Sequence, residues 1–354
     1  MKKKLVYLCC IFLIVGAVSA GAVGLAGNGV VGKDAGKSDT SGDVSEEFLV
    51  VTSFYPVYLL TCNLADGVPG VTVRNLTESH AGCIHDYQLT TEDMRLLSEA
   101  DLFILNGGGM EAFIEQAAGL RADLTMAEAS EGISFTDTAS EHSHDHEEHD
   151  HAQAGGEDGA QSGVSGNGEN PEMEHSHSEE GNAHVWTDPE RYLMQLSNVT
   201  EALCEADPAN EERYRENAKH YGDEVWLVGA ELAQLRERAE GVPVVLFHDA
   251  FVYLADTLGM EILHTASLDE DTTISAGELA EMIEEMRYHG GYMIWEENDV
   301  NNPAGERLAE EVEGHIYELN PLTSGTSGAS LSAYIDGMRQ NIAVIKEALT
   351  DAGY

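Results

Sequence analysis

Three histidines stand in motifs that read as ordered: His85 in CIHDYQL, His184 in NAHVWTDPERY and His248 in VVLFHDAFVYL. Neutral imidazole is the commonest protein ligand for zinc and its neighbours. Between the first two lies HSHDHEEHDH (142–151), an alternation of imidazoles and carboxylates suited to loose metal capture. His142, His144, His146, His149 and His151 there, with His175 and His177 further on, are expected to form weak auxiliary sites. Glu296, after GYMIW, offers a carboxylate. These residue types together support coordination of a transition metal. Neither an HExxH motif nor a nucleophile elbow accompanies them.

The candidates share a position relative to the expected elements. FLVVTSF (48–54), VTVRNL (71–76) and DLFILNG (101–107) are β-rich runs, and helical patterns lie between them. The same alternation resumes with PVVLF (243–247), EILHTA, GYMIW (291–295) and HIYEL. Strands alternating with helices predict parallel α/β sheets. His248 directly follows one strand, Glu296 follows another, and His85 lies on the loop after a third. In open parallel sheets, ligands bind outside the carboxyl ends of the strands. Two lobes facing each other with those ends would place the four groups on the walls of one cleft. Asp86 and Asp249 each follow a candidate ligand and suit either a hydrogen bond to its ring or a helix cap. Gly107-Gly108-Gly109 lacks the Lys-Ser/Thr of a phosphate loop and reads as a tight turn.

The domain plan follows from composition. Residues 1–26 carry three lysines and then an apolar run, the form of a signal peptide or an N-terminal membrane anchor. Cys9 and Cys10 lie too early in that run for a lipid anchor. Residues 27–47 are a flexible linker, and 48–188 form an N-terminal α/β lobe. Within that lobe, 136–183 is an insert with thirteen acids, seven histidines and no Lys, Arg or aromatic residue. Such a segment buries too little apolar area to order itself, so it is expected to be disordered. A helical linker spans 189–240, and 241–354 forms the C-terminal α/β lobe. The fold class is therefore α/β: two Rossmann-like lobes with parallel sheets joined by a long helix, the metal between them. A net charge of −46 argues against nucleic acid as a partner and suits attraction of cations. The exported part keeps Cys62, Cys83 and Cys204, and a bridge between Cys62 and Cys83 is one arrangement open to it.

These motifs resemble, over nearly all of 48–354, the zinc-specific solute-binding proteins of ABC importers, part of a zinc/manganese-binding group. HDYQLTTED is similar to that family's first ligand loop, HVWTDP to its second, FHDAFVYLA to its third, and IWEEN to the segment whose first acid can complete the site. The resemblance implies His85, His184, His248 and Glu296 as ligands. It also implies Zn2+ as the transported ion, a membrane permease as partner, an exported periplasmic or cell-surface monomer, and no enzymatic activity. Three nitrogens favour zinc over manganese. Two other readings stay open: a zinc buffer or adhesin using the histidine tract, and a zinc hydrolase with Glu296 as general base.

Overall fold

The computed structural model describes residues 47–354, apart from 79, 81, 83, 86, 114–118, 120–122, 137–180, 267–273, 292, 299 and 327. The expected signal or anchor, the linker before Glu47 and the seven auxiliary histidines lie outside the described residues. No described helix is long and apolar enough to cross a membrane.

Two parallel sheets of four strands carry the structure. The first comprises β1 (Phe48–Thr52), β2 (Val71–Asn75), β3 (Leu102–Leu105) and β4 (Thr125–Glu128), in the order β2-β1-β3-β4. The second comprises β5 (Pro243–Leu246), β6 (Glu261–Thr265), β7 (Met293–Glu297) and β8 (His315–Leu319), in the order β6-β5-β7-β8. Every pairing is parallel. The central strands LFIL and PVVL are buried throughout. Continuous apolar runs are what a parallel strand covered on both faces requires.

Helices α1 (Tyr55–Leu64) and α2 (Thr91–Glu99) belong to the first lobe. Between the lobes run α3 (Pro189–Ala206), α4 (Glu211–Ala233) and the single turn α5 (Arg236–Ala239). Asp188 caps α3 by accepting the Glu190 N–H, and Pro189 fills the first helical position, where its missing donor costs nothing. The helical linker expected over 189–240 is interrupted after Ala206 and again after Ala233, where a turn leads into the short α5. The second lobe adds α6 (Val252–Leu258), α7 (Ala276–His289), α8 (Pro303–Val312) and the closing helix α9 (Ala333–Asp351).

One apolar core runs from β1 and β3 through α3 and α4 to β5 and α9. Its joint is aromatic. Trp186 sits edge-on to Phe54 of the first lobe at 5.0 Å and donates its indole N–H to Pro321 O of the second at 2.8 Å. Tyr334 of α9 stacks on Tyr192 of α3 at 3.8 Å and donates its hydroxyl to Trp186 O at 2.9 Å. A second cluster, built on Val245, Phe247, Ile294 and Met282, fills the far face of the second sheet.

Gly107, Gly108 and Gly109 all adopt positive φ. The backbone N–H groups of Asn106 and Gly107 point at the buried carboxylate of Glu111, at 2.7 and 3.1 Å. The turn thus closes on the chain's own carboxyl group, and the tight turn expected from sequence is what forms.

Candidate metal centre

Each sheet reverses its winding between two central strands: β1 and β3 in one, β5 and β7 in the other. Crevices open at such points, beyond the carboxyl ends of the strands. His248 lies there, two residues past β5. Its Nδ1 accepts the Ala250 N–H at 2.9 Å and so caps the 3-10 turn Asp249–Phe251. That bond holds the ring in place. Asp249 Oδ1 lies 3.2 Å from the same Nδ1.

His184 comes from the first lobe and opens the 3-10 turn Val185–Thr187. Its side chain is only 1% exposed. Nδ1 meets Asn182 Oδ1 at 2.9 Å and Asp249 Oδ1 at 3.5 Å. Burial lowers its pKa to about 3, which outweighs the opposing pull of Asp249; His248 and His85 lower it further. The ring is therefore neutral across the physiological range, as a metal ligand must be. Thr187 ties this segment across the cleft by donating to Ala250 O at 2.7 Å.

His85 sits half-buried on the loop after β2. Ile84 is buried beneath it. Tyr87 donates its hydroxyl to Asp93 Oδ2 at 2.7 Å, and the same carboxylate completes the capping box of α2 with Thr90. The HDYQLTTED motif is thus a loop pinned to the helix that follows it. The His85 and His184 rings lie 5.5 Å apart, and those of His184 and His248 lie 5.3 Å apart. The structure brings the three histidines into one cluster. His184, His248 and Asp249 each place a ligand atom within 4.8 Å of the others.

The carboxylates differ from expectation. The apolar run GYMIW suggests a strand ending before Glu296, but β7 continues to Glu297. Adjacent strand residues point to opposite faces. Glu296 turns toward α8, where its Oε1 accepts from Asn302 Nδ2 at 3.0 Å and packs against Gly305. Burial, and then repulsion from Glu318, pushes its pKa up to about 7; Glu306 adds to the rise and the Asn302 bond opposes it. Glu297 takes the place expected of Glu296, with Oε2 at 3.5 Å from His248 Nε2. Burial raises the Glu297 carboxyl, and His248 opposes this.

Asp249 is the second carboxylate of the cluster. Burial would raise its pKa, but His184 and then His248 hold it well below the usual carboxylate range. From sequence it is a candidate hydrogen-bond partner or cap, and its place directly after His248 is the available signal. Asp86 lies outside the described residues. Two further described histidines stand elsewhere: His264 faces Glu278 at 3.5 Å and His289 faces Glu261 at 3.2 Å. Cys62 is a free thiol with a pKa raised to about 11, mainly by burial; Cys83 lies outside the described residues.

The ends of the insert belong to the folded lobe. Asn182 donates its backbone N–H to Thr136 O at 2.8 Å, and Asn182 and Ala183 are buried. The disorder expected over 136–183 therefore does not apply to Thr136 or to 181–183.

Two parallel α/β lobes with imidazoles and carboxylates converging between them define a metal-binding solute-binding protein. The family described as zinc-uptake complex component A, periplasmic, matches residues 50–348, and the chain belongs to it. It is 28% identical over 322 residues to the high-affinity zinc uptake system protein ZnuA of Bacillus subtilis, covering 89% of this chain and 90% of that one. It is 24% identical over 310 residues to the zinc-binding protein AdcA of Streptococcus pyogenes, covering 86% of this chain but only 56% of AdcA. The chain thus spans little more than half of that relative's length. Among solved structures, the solute-binding protein FpvC of Pseudomonas aeruginosa in complex with Ni2+ superposes with a TM-score of 0.68. That match is at 18% identity and covers 87% of this chain and 99% of FpvC.

Proposed function

We propose that the chain is the extracytoplasmic receptor of a zinc importer, which binds Zn2+ between its lobes and delivers it to the membrane permease of an ABC transporter. The observation that carries this reading is the meeting of His184 from one lobe with His248 and Asp249 from the other, ligand atoms within 4.8 Å. Imidazole nitrogen with one or two carboxylate oxygens is a donor set suited to zinc. Taking ligands from two lobes also makes the lobe arrangement sensitive to the ion, which a receptor needs if the permease is to tell loaded from empty. On this reading His85, His184, His248, Asp249 and Glu297 supply the donors, and the chain acts as a monomer without catalysing a reaction. The export segment either is removed or tethers the protein to the membrane.

Zinc titration of the metal-free chain tests this. One tight site is expected, and His248→Ala should lose it. Wild-type affinity in that variant would sink the assignment. Hydrolysis of generic ester or peptide substrates by the loaded protein would favour a zinc hydrolase instead.

A further inference from the structure

Asn182 precedes His184 by two residues and is 1% exposed. Every polar atom of its side chain is used. Oδ1 accepts the backbone N–H of His184 at 2.9 Å and faces the ring Nδ1 of the same residue at 2.9 Å. Nδ2 donates to the backbone O of Asp249 at 2.7 Å. Its backbone carbonyl accepts the Tyr253 hydroxyl at 2.5 Å. Asn182 and His184 come from the first lobe; Asp249 and Tyr253 come from the second.

This network settles the amide orientation. Flipping the group would set NH2 against the His184 N–H and an oxygen against the Asp249 carbonyl. With the oxygen facing His184, the ring atom opposite it must be a donor. The proton of neutral His184 is then on Nδ1, and Nε2 holds the lone pair. Among the described residues, Asp249 Oδ1 also faces that nitrogen. At 3.5 Å it is at the outer limit of a hydrogen bond, while Asn182 at 2.9 Å is at the ideal distance.

We propose that Asn182 is the positioning residue of the centre. By holding the Nδ1 proton of His184 it presents Nε2 to the cation and leaves the Asp249 carboxylate for the metal, while its amide N–H ties the two ligand segments together across the cleft. This rests on the zinc-receptor reading. Asparagine suits the position better than aspartate, which could take the ring proton but would lose the donor to Asp249 O. It would also place a second negative charge beside the Asp249 carboxylate.

The test uses the full chain, with 15N-labelled histidine and the variants Asn182→Ala and Asn182→Asp. The metal-free wild type should show His184 as the Nδ1–H tautomer in its ring nitrogen shifts. Asn182→Asp should keep that signature, and in Asn182→Ala the Nδ1 proton should pass to the Asp249 carboxylate as its acceptor. Zinc affinity, measured by competition with a chelator, should fall about 10–100-fold in Asn182→Ala, the range seen when a partner behind a ligand histidine is removed. Asp249→Asn should then cost less in the Asn182→Ala background than in the wild type, because the carboxylate is already drawn to His184. An Nε2–H signature in the wild type, or wild-type zinc affinity in a folded Asn182→Ala, overturns the proposal. If Asn182→Ala fails to fold, the wild-type tautomer and the Asn182→Asp affinity, expected below wild type, decide it. A chain that shows the Nδ1–H signature but binds no zinc sinks the receptor reading and leaves the positioning geometry standing.

Discussion

The carboxylate of Glu297 stands 3.5 Å from Nε2 of His248, and it comes from β7, the strand paired with the β5 strand that leads to the histidine. The neighbouring Glu296 has its carboxylate on the other face of the same strand, against Asn302 and the start of α8. One step along a pleated strand separates an acid beside the His248 ring from one turned toward α8.

The two acids should therefore separate in a zinc titration. Glu297→Gln should weaken binding by about tenfold or more, the scale of loss when a group at a metal site is removed. Glu296→Gln should leave the affinity where it is. Equal losses in both variants would mean that β7 does not hold this pleat phase.

Glu296 should instead appear in the pH dependence of stability. Its ordinary value of 4.5 is raised to about 7 by burial and by the nearby Glu318. Between those values the folded chain holds a proton that the unfolded chain has released. Stability contributed by this group is thus fully present below the lower value and is lost as pH rises through the upper one. Glu296→Gln stays neutral and escapes that loss. Thermal melts of the metal-free proteins should show the variant gaining on the wild type as pH rises from about 5 to about 8. A constant difference across that range would count against the raised value.

The insert can be removed without opening the fold, because Thr136 O and Asn182 N meet at 2.8 Å. Replacing 137–180 by a short glycine–serine bridge should leave the tight zinc site intact. Calorimetry should show fewer weak ions bound, since His142, His144, His146, His149, His151, His175 and His177 leave with the segment. Loss of tight binding would move the main site to the tract and make the protein a zinc buffer.

Trp186 joins the lobes through its indole N–H to Pro321 O. Trp186→Phe keeps an aromatic ring but strands that buried carbonyl. The expected cost is about 1–3 kcal/mol of unfolding free energy in urea titrations, the scale for an unsatisfied buried acceptor. A smaller cost would mean that water reaches Pro321 O.

Much of the fold was legible because parallel sheets write themselves locally. PVVLF, DLFILNG and HIYEL are apolar runs of strand length between helical repeats, and each became a strand within two residues of its reading. The strand Thr125–Glu128 was missed because it lies at the sheet edge with no residue fully buried, so TMAE carries no apolar run.

The motifs also determined that His85, His184 and His248 would be available near strand ends and turns, since HDYQLTTED, HVWTDP and FHDAF each contain the cap, proline or polar residue that ends one element and starts the next. Tertiary structure alone decided which carboxylates join them. Asp249 is drawn in by histidines from both lobes, 3.2 and 3.5 Å away. Glu297 rather than Glu296 faces His248 because β7 runs two residues beyond its apolar core, and pairing with β8 through Glu297 and Leu319 sets where the pleat ends. The role of Asn182 depends on an acceptor in the other lobe, 67 positions along the chain. Apolar periodicity is a property of neighbouring residues and can be read along the chain; a ligand shell is a property of distances between segments, which exist only once the two sheets have packed against α3, α4 and α9.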